Sequence, residues 1–465
     1  MPATQIDVSI RPHLLEQLAQ ARRRTDELFA IVRPDSLYER PIAERHRIVF
    51  YIGHLEAFDW NLLHDRVLGL KPFQPHFDRL FAFGIDPVGG GLPNDQPSEW
   101  PSIAQVRDYV ATVRNALDAK LADVLAEPNP PSADGFPLST LLNVAIEHRL
   151  MHAETLAYML HQLPLDRKIP HNESLQLASS PIAHRMIEIP EGEVTLGLSR
   201  NSGEFGWDNE FESRRVNVPA FSIDKYKVTN RQYLEFIEAG GYETRDFWVN
   251  DERSDRPEDA DWQWRVKHNV SHPAFWKREN DQWLYRTMFA DVHLPLDWPV
   301  YVSQAEAKAY AKWAGKALPT EAEWQRAAHG TPNGDERAYP WGDQTPGEEM
   351  PDESSSFGNF DFARWSPVPV NAFPESQSAF GIDGMVGNGW EWTSTEFAPF
   401  PGFEPFPFYR GYSADFFDGK HLVMKGGSAR TAASMLRRSF RNWFQPHYQY
   451  IYTGFRCVRH KHEQQ

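Results

Sequence analysis

Two histidines lie four residues apart in the stretch EHRLMHAETLAYMLH, whose apolar residues recur at helical spacing. His148 and His152 therefore share the inward stripe of one helix, one turn apart. His54 lies on the inward stripe of a second helical stretch, so the three imidazoles could converge inside a bundle. Two imidazoles at this spacing can bind one metal ion, and three leave open positions for water, O2 or a substrate.

The spacing alone leaves two interpretations open. A single inward histidine is usually a core residue whose ring nitrogens are hydrogen-bonded, and each of the three could be satisfied in that way. The alternative is a metal site formed by His54, His148 and His152. Imidazole suits zinc, iron, nickel and copper alike, so these ligands do not identify the metal.

Composition narrows the class of protein. The 465 residues exceed one ordinary core, which predicts two or three domains. The formal net charge of −16, without a Lys/Arg-rich run, argues against a nucleic-acid partner. The single cysteine, Cys457, excludes an intramolecular disulfide and fits a reducing compartment. Since neither an apolar signal core nor a run of about 18 apolar residues occurs, we expect a cytoplasmic protein without a membrane partner.

Four helical stretches before residue 166 predict an antiparallel bundle. They cover residues 11–32, a run that opens at Pro41, residues 102–126 and residues 137–163. The connection over residues 66–101 is too long for a bundle turn, and we expect it to cover or line a site. Beyond residue 185, strand-like runs such as MIEIP and EVTLGL alternate with aromatic loops and with helices over 229–239 and 303–315. This texture predicts an α+β multidomain chain.

Motifs in both halves resemble known families. His54 together with HRLMHAE (148–154) resembles the three-histidine site of DinB-like four-helix bundles. The blocks FSIDKYKVTNRQYLEF, ALPTEAEWQRAA, GMVGNGWEWTST, MKGGSAR and YTGFRCVR resemble the formylglycine-generating-enzyme/sulfatase-modifying-factor fold, which is C-type-lectin-like. The resemblance implies a helical domain over 1–165, a linker over 166–184 and the second domain over 185–465.

The order of the two domains is similar to that of the EgtB-like sulfoxide synthases of ergothioneine biosynthesis. The resemblance implies a non-haem Fe(II) enzyme that uses O2 as co-substrate. It implies a reaction that joins a thiol to the imidazole C2 of N-trimethylhistidine (hercynine) and oxidises the sulfur to a sulfoxide. The expected partners are therefore a small-molecule thiol and a histidine betaine, in a monomer or small homo-oligomer.

The same resemblance implies substrate-binding residues. The segment that matches the family's betaine-binding segment consists of Arg441, Asn442, Trp443 and Phe444. Phe444 stands where an Asp is common, and Met151 stands where a Gln often precedes the last metal ligand. Family members that use γ-glutamylcysteine carry arginines between helices two and three, and residues 77–100 offer only Arg79. Cysteine is therefore the favoured thiol.

The catalytic proton or electron donor of such enzymes is a tyrosine. Tyr409 and Tyr412 follow the position where it is expected, and the sequence does not choose between them. The GNGWEW block can lie near a bound Ca2+ in related folds, for which we expect no catalytic role. Ovothiol- or selenoneine-type synthesis, a zinc-dependent DinB-like thiol transferase and a non-catalytic ligand-binding protein remain as alternatives. The lone Cys457 argues against formylglycine formation, which needs two active-site cysteines.

Overall fold

The computed structural model describes residues 10–82, 94–127, 129–177, 182–249, 256–346 and 357–460. The chain divides into two compact units, Met1–His171 and Asn172–Gln465, and the division falls inside the expected linker. Helices dominate the first unit, whereas small sheets and long loops dominate the second. The α+β multidomain class is thereby confirmed.

The first unit is a bundle of long helices. Its elements within the described ranges are α1 (Ile10–Ala30), α2 (Ile48–Leu63), α3 (Pro75–Leu80), α4 (Ile103–Ala126) and α5 (Leu138–Gln162), with a hairpin of β1 (Ser132–Ala133) and β2 (Phe136–Pro137) before α5. α5 is buried along nearly its whole length because it packs against both α1 and α2. α4 begins after Ser102, whose hydroxyl accepts the Gln105 N–H while the Gln105 side chain accepts the Ser102 N–H.

The start of the second helix differs from the prediction, because α2 begins at Ile48 and not at Pro41. The N–H groups of Ile48 and Val49 donate to the carbonyl oxygens of Glu39 (3.1 Å) and Leu37 (2.8 Å). The preceding chain thus supplies the acceptors that a helix N-terminus lacks. A proline at a permitted first-turn position does not reveal this, since the fold of the preceding segment decides where the helix begins.

The second unit consists of short elements joined by long loops. Its helices are α6 (Asn230–Glu238), α7 (Ala260–Lys267), α8 (Gln304–Trp313) and α9 (Glu321–His329), and its strands are β3 (Met186–Ile189), β4 (Gly192–Leu196), β5 (Arg214–Val218), β6 (Phe221–Asp224), β7 (Trp276–Glu279), β8 (Gln282–Arg286), β9 (Asp291–His293), β10 (Trp390–Glu396), β11 (Leu422–Lys425), β12 (Asn442–Phe444), β13 (Thr453–Gly454) and β14 (Val458–His460). MIEIP and EVTLGL form β3 and β4, as predicted. The helix α7 was not predicted.

The strands form several small sheets. Their orders are β12-β11-β10-β13, β14-β6-β3, β7-β8-β9 and β4-β5, and all pairs are antiparallel except β10 with β13. α9 packs against β4, β5, β10 and β11, and its Trp324 is buried in a core with Phe221, Ile223 and Met385. Among the described residues, no helix combines the length and the apolar run that crossing a bilayer requires.

Candidate metal centre and substrate segment

Helices α2 and α5 bring three imidazoles together inside the first unit. His54, His148 and His152 are each at most 3% exposed, and one nitrogen of each ring lies within 4.8 Å of the others. The ring centroids of His148 and His152 are 4.5 Å apart, and those of His54 and His152 are 4.9 Å apart. The predicted convergence of the two inward stripes is thereby confirmed.

A backbone carbonyl orients the His54 ring. The Nδ1 of His54 lies 2.7 Å from the Phe81 carbonyl oxygen, which can only accept, so Nδ1 carries the proton and Nε2 has a free lone pair. That Nε2 lies 3.2 Å from the Nε2 of His152. Two nitrogens bound to one ion at about 2.0–2.1 Å would lie about 3.0–3.4 Å apart. The donor set therefore fits a transition-metal ion with open coordination positions.

The three imidazoles are held neutral, as metal ligation requires. Burial lowers the pKa of His54 to about 4. Burial and the neighbouring imidazoles lower the pKa of His148 and of His152 well below the ordinary value. The positive charge of Arg149 lowers all three pKa values further.

Arg149 belongs to a buried ion network that the sequence analysis missed. Its guanidinium is fully buried and donates to Glu56 (3.0 Å), to Asp59 (2.7 Å) and to the Leu55 carbonyl (3.0 Å), which ties α5 to α2. Burial opposes the charge of both carboxylates. The charges of Arg149 and Arg114 outweigh burial and lower the pKa of Glu56, whereas burial prevails and raises the pKa of Asp59. The available signal was a set of charged residues within otherwise apolar helices.

Aromatic side chains of α2 restrict the orientation of two of the imidazoles. Phe50 stacks on His54 with 4.9 Å between ring centroids and 19° between planes. Phe58 stacks on His148 at 3.4 Å and 11°. Because rotation of either imidazole would require its neighbour to move, the site is preorganised before any ion binds.

Two expected substrate residues of the first unit lie outside the ligand stripe. Met151 precedes His152 on α5 and is half-buried. Arg79 is exposed on α3, which forms within the long connection between α2 and α4. Residues 83–93 of that connection lie outside the described residues. Met151 and Arg79 thus lie in the same unit as the histidines, and the structure does not show which small molecule either of them binds.

The segment expected to bind the betaine forms the edge strand β12 of the second unit. Asn442 pairs with Met424 and Trp443 with Val423 of β11. Strand alternation places Asn442 and Phe444 on one face and Trp443 on the other. Trp443 stacks on Phe397, with 4.0 Å between centroids and 7° between planes. Its other ring neighbours are Tyr412 at 5.4 Å and Phe416 at 5.7 Å, so Trp443 belongs to an aromatic cluster.

Arg441 is engaged by protein groups. It is 2% exposed, and its Nε and Nη2 donate to the two carboxylate oxygens of Glu321 at 2.9 and 3.1 Å. Its Nη1 donates to the Ala398 carbonyl at 3.1 Å. This two-point ion pair joins the residue before β12 to the first turn of α9 and so fixes the position of the strand.

Both candidate tyrosines lie beside the Trp443 cluster. Tyr412 stacks on Trp207 with 3.9 Å between centroids and contacts Trp443 edge-on. Tyr409 lies 5.5 Å from Tyr412, and burial together with the charge of Asp208 raises the pKa of Tyr409. Of the two, Tyr412 is therefore the one in direct ring contact with Trp443.

A lysine from another part of the chain contacts the block considered for calcium. The Nζ of Lys227 donates to the carbonyl oxygens of Gly384 (2.5 Å) and Gly387 (3.1 Å) and lies 3.0 Å from the carboxylate of Glu391. These oxygens are of the kind that Ca2+ prefers. Here they surround an ammonium group.

Comparisons with known proteins give the same two-part organisation. The family described as "Sulfatase-modifying factor enzyme 1-like domain" matches residues 174–461, and the DinB superfamily matches residues 17–156. The chain is 36% identical to a hercynine oxygenase of Mycolicibacterium thermoresistibile over 98% of this chain and 96% of that protein. It is 33% identical to a hercynine oxygenase of Mycolicibacterium smegmatis over 96% and 99%. It is 31% identical to the ergothioneine biosynthesis protein 1 of Neurospora crassa over 91% of this chain and 55% of that protein.

These matches confirm the resemblances found in the motifs. The DinB match contains all three histidines, and the second match contains Asn442, Trp443 and both candidate tyrosines. The two hercynine oxygenases match this chain over nearly its full length, across both parts.

Proposed function

The chain belongs to the sulfatase-modifying factor enzyme 1-like family, among relatives that include the hercynine oxygenases, and on this basis we propose that it is an iron-dependent sulfoxide synthase. The reaction joins the sulfur of a thiol to C2 of the imidazole of hercynine. The S–H bond of the thiol and the C2–H bond of the imidazole are broken, and a carbon–sulfur bond forms. One oxygen atom of O2 becomes the sulfoxide oxygen, and the other leaves as water with the two hydrogen atoms. Four electrons leave the two substrates, two for each new bond to sulfur, and reduce O2.

One observation supports this proposal above the others: three buried, neutral imidazoles with their nitrogens within 4.8 Å. A ferrous ion held there would supply the one-electron chemistry that O2 activation requires. His54, His148 and His152 would hold that ion without adding negative charge. The aromatic stacking on Phe50 and Phe58 would keep the ligand rings in place during turnover.

We assign binding of the betaine to the second unit. Trp443 offers an aromatic face for the trimethylammonium group, beside Tyr412 and Phe416. Hercynine carries its trimethylammonium and carboxylate groups on one carbon atom, so Asn442, on the opposite face of β12, is not assigned to the same ligand. Arg441 supports the strand through Glu321. Tyr412 is the favoured proton donor because it contacts Trp443 directly, with Tyr409 as the alternative.

Cysteine remains the proposed thiol donor. Phe444 stacks on Tyr448 with 5.1 Å between centroids, so the position after Trp443 presents an apolar surface. A donor with an additional carboxylate, such as γ-glutamylcysteine, would need an additional cationic partner, and residues 77–100 of the α2–α4 connection offer Arg79 as their single arginine. Met151, on the ligand helix α5, would be a substrate contact in the first unit. The same apolar surface would also accept a selenol in place of the thiol.

The test is O2 uptake by iron-loaded protein with hercynine and a panel of donors: cysteine, γ-glutamylcysteine and a selenol. We expect uptake only when hercynine and a donor are both present, with a product whose mass equals the sum of both substrates plus one oxygen atom minus two hydrogen atoms. His152→Asn should abolish uptake and bound iron. The matched control is His161→Asn, since His161 is also buried on α5 but lies off the ligand stripe.

The outcomes separate the alternatives. Full turnover without O2 in zinc-loaded protein would replace the proposal by a zinc-dependent thiol transferase. O2 uptake with a different imidazole acceptor would move it toward ovothiol-type synthesis. Absence of uptake with every donor and acceptor pair, in protein that binds iron, would refute the proposed reaction.

A further inference from the structure

A glycine lies in the middle of the helix that carries the first metal ligand. Gly53 immediately precedes His54 in the 16-residue helix α2. Glycine is a poor residue for a helix interior because it has more conformational freedom to lose than alanine. Its presence within an otherwise apolar helix therefore calls for a packing reason.

The packing reason is the Phe81 ring. A Cβ atom on Gly53 would lie 2.5–2.6 Å from three ring carbons of Phe81, closer than real side-chain contacts. Phe81 is fully buried, and its ring is surrounded by those of Phe77 (5.6 Å), Tyr109 (6.0 Å) and Trp100 (6.3 Å). The ring has no simple way to move aside, so any side chain at position 53 would displace it.

The backbone of the same phenylalanine serves the metal centre. The Phe81 carbonyl accepts the Nδ1–H of His54 at 2.7 Å, and this bond leaves the Nε2 of His54 directed toward His152. Such hydrogen bonds to metal-bound histidines fix the ring orientation and the tautomer. The position of Phe81 therefore has two consequences: its ring packs on Gly53, and its carbonyl orients His54.

We propose that Gly53 is a positioning residue for the metal centre, which acts by allowing Phe81 to pack on α2 with its carbonyl at His54. This inference rests on the proposed metal site. It also links the metal to the segment that carries Arg79, because α3 leads directly into Phe81.

The test is a titration of metal-free protein with Co2+, followed by the ligand-field absorption of the bound ion. Gly53→Ala should weaken Co2+ binding by about 10–100-fold, the usual effect of losing such a hydrogen bond, and should change the absorption bands. Phe81→Ala should also weaken Co2+ binding, because the ring that packs on Gly53 no longer holds the carbonyl of residue 81 in place. In the Phe81→Ala background, Gly53→Ala should change the dissociation constant by less than about twofold, because the ring that it displaces is gone.

The outcomes are distinguishable. Wild-type affinity and absorption bands in Gly53→Ala would overturn the inference while leaving the metal site intact. Independent, multiplicative effects of the two substitutions would also overturn it. If Gly53→Ala does not fold, Phe81→Ala decides alone: unchanged Co2+ affinity refutes the inference and weakened affinity supports it. A wild-type protein that binds neither Co2+ nor Fe2+ would instead refute the proposed function.

Discussion

Replacing Arg149 by methionine tests whether the ion network behind the histidines stabilises the helical unit. The substitution keeps an apolar stem of similar length on α5 and removes the guanidinium. Asp59 then loses the cation that lies 2.7 Å away, and the Leu55 carbonyl loses its donor. Glu56 keeps Arg114, whose Nε donates to it at 2.9 Å. The buried carboxylate left without its partner is therefore mainly Asp59, which is fully buried.

Removing one partner from a buried ion pair costs about 3–5 kcal/mol, because the remaining charge stays out of water. Since Glu56 remains paired and Asp59 can take up a proton, we expect a loss at the lower end, about 3 kcal/mol. Asn at position 59 has no charge to leave behind. The double substitution Arg149→Met with Asp59→Asn should therefore recover about 1–2 kcal/mol of that loss.

The measurement is urea unfolding of metal-free protein, followed by far-ultraviolet circular dichroism, which reports mainly on the helical unit. The control is Arg66→Met, since Arg66 pairs with Asp134 in the same unit at a partly exposed site. That substitution should cost no more than about 1 kcal/mol. If Arg149→Met costs no more than this control, or if Asp59→Asn gives no recovery, the account of the network is wrong.

Three further predictions concern the second unit. Burial lowers the pKa of His329 to about 3, below the unfolded value of about 6.5. As the pH falls, the unfolded chain therefore takes up a proton before the folded chain does, and the free energy of unfolding should decrease by up to about 5 kcal/mol between pH 6.5 and pH 3. His329→Asn should flatten this pH dependence, measured by thermal melts at a series of pH values. An unchanged pH dependence in the variant would contradict the lowered pKa of His329. A lysine at position 441 cannot reproduce the two hydrogen bonds that Arg441 donates to Glu321. In Arg441→Lys the KM for hercynine should therefore rise while the amount of bound iron stays constant. Loss of iron would indicate a different role for Arg441. Trp443→Leu should raise the KM for hercynine by about 2–30-fold, the equivalent of a cation–π contact of about 0.5–2 kcal/mol, and an equal KM would exclude that contact.

Much of the site was accessible from local pattern. The helical period placed His148 and His152 on one stripe and His54 on another, and the structure brings nitrogens of the three rings together. The ordered motifs of the second half predicted its family in the same way. Both inferences succeed because the position of a residue on its helix, or the motif in which it stands, can be read from neighbouring residues.

Other features could not be read from the chain. The start of α2 depends on carbonyl acceptors of the preceding segment, which no local rule about Pro41 supplies. Arg441 was interpreted as a residue of the substrate segment, and the structure engages its guanidinium with Glu321. The pairing joins positions that are 120 residues apart, and its existence depends on how β12 meets α9.

By itself, the sequence determined the two-part organisation, the family and the ligand stripes, because periodicity and motif order are properties of neighbouring residues. Only the tertiary structure decided which side chains orient those ligands. The Phe81 carbonyl reaches His54 because its ring packs on Gly53, and Arg149 reaches Asp59 across two helices. Such contacts depend on the distance between elements remote in the chain, which is set when the whole core packs.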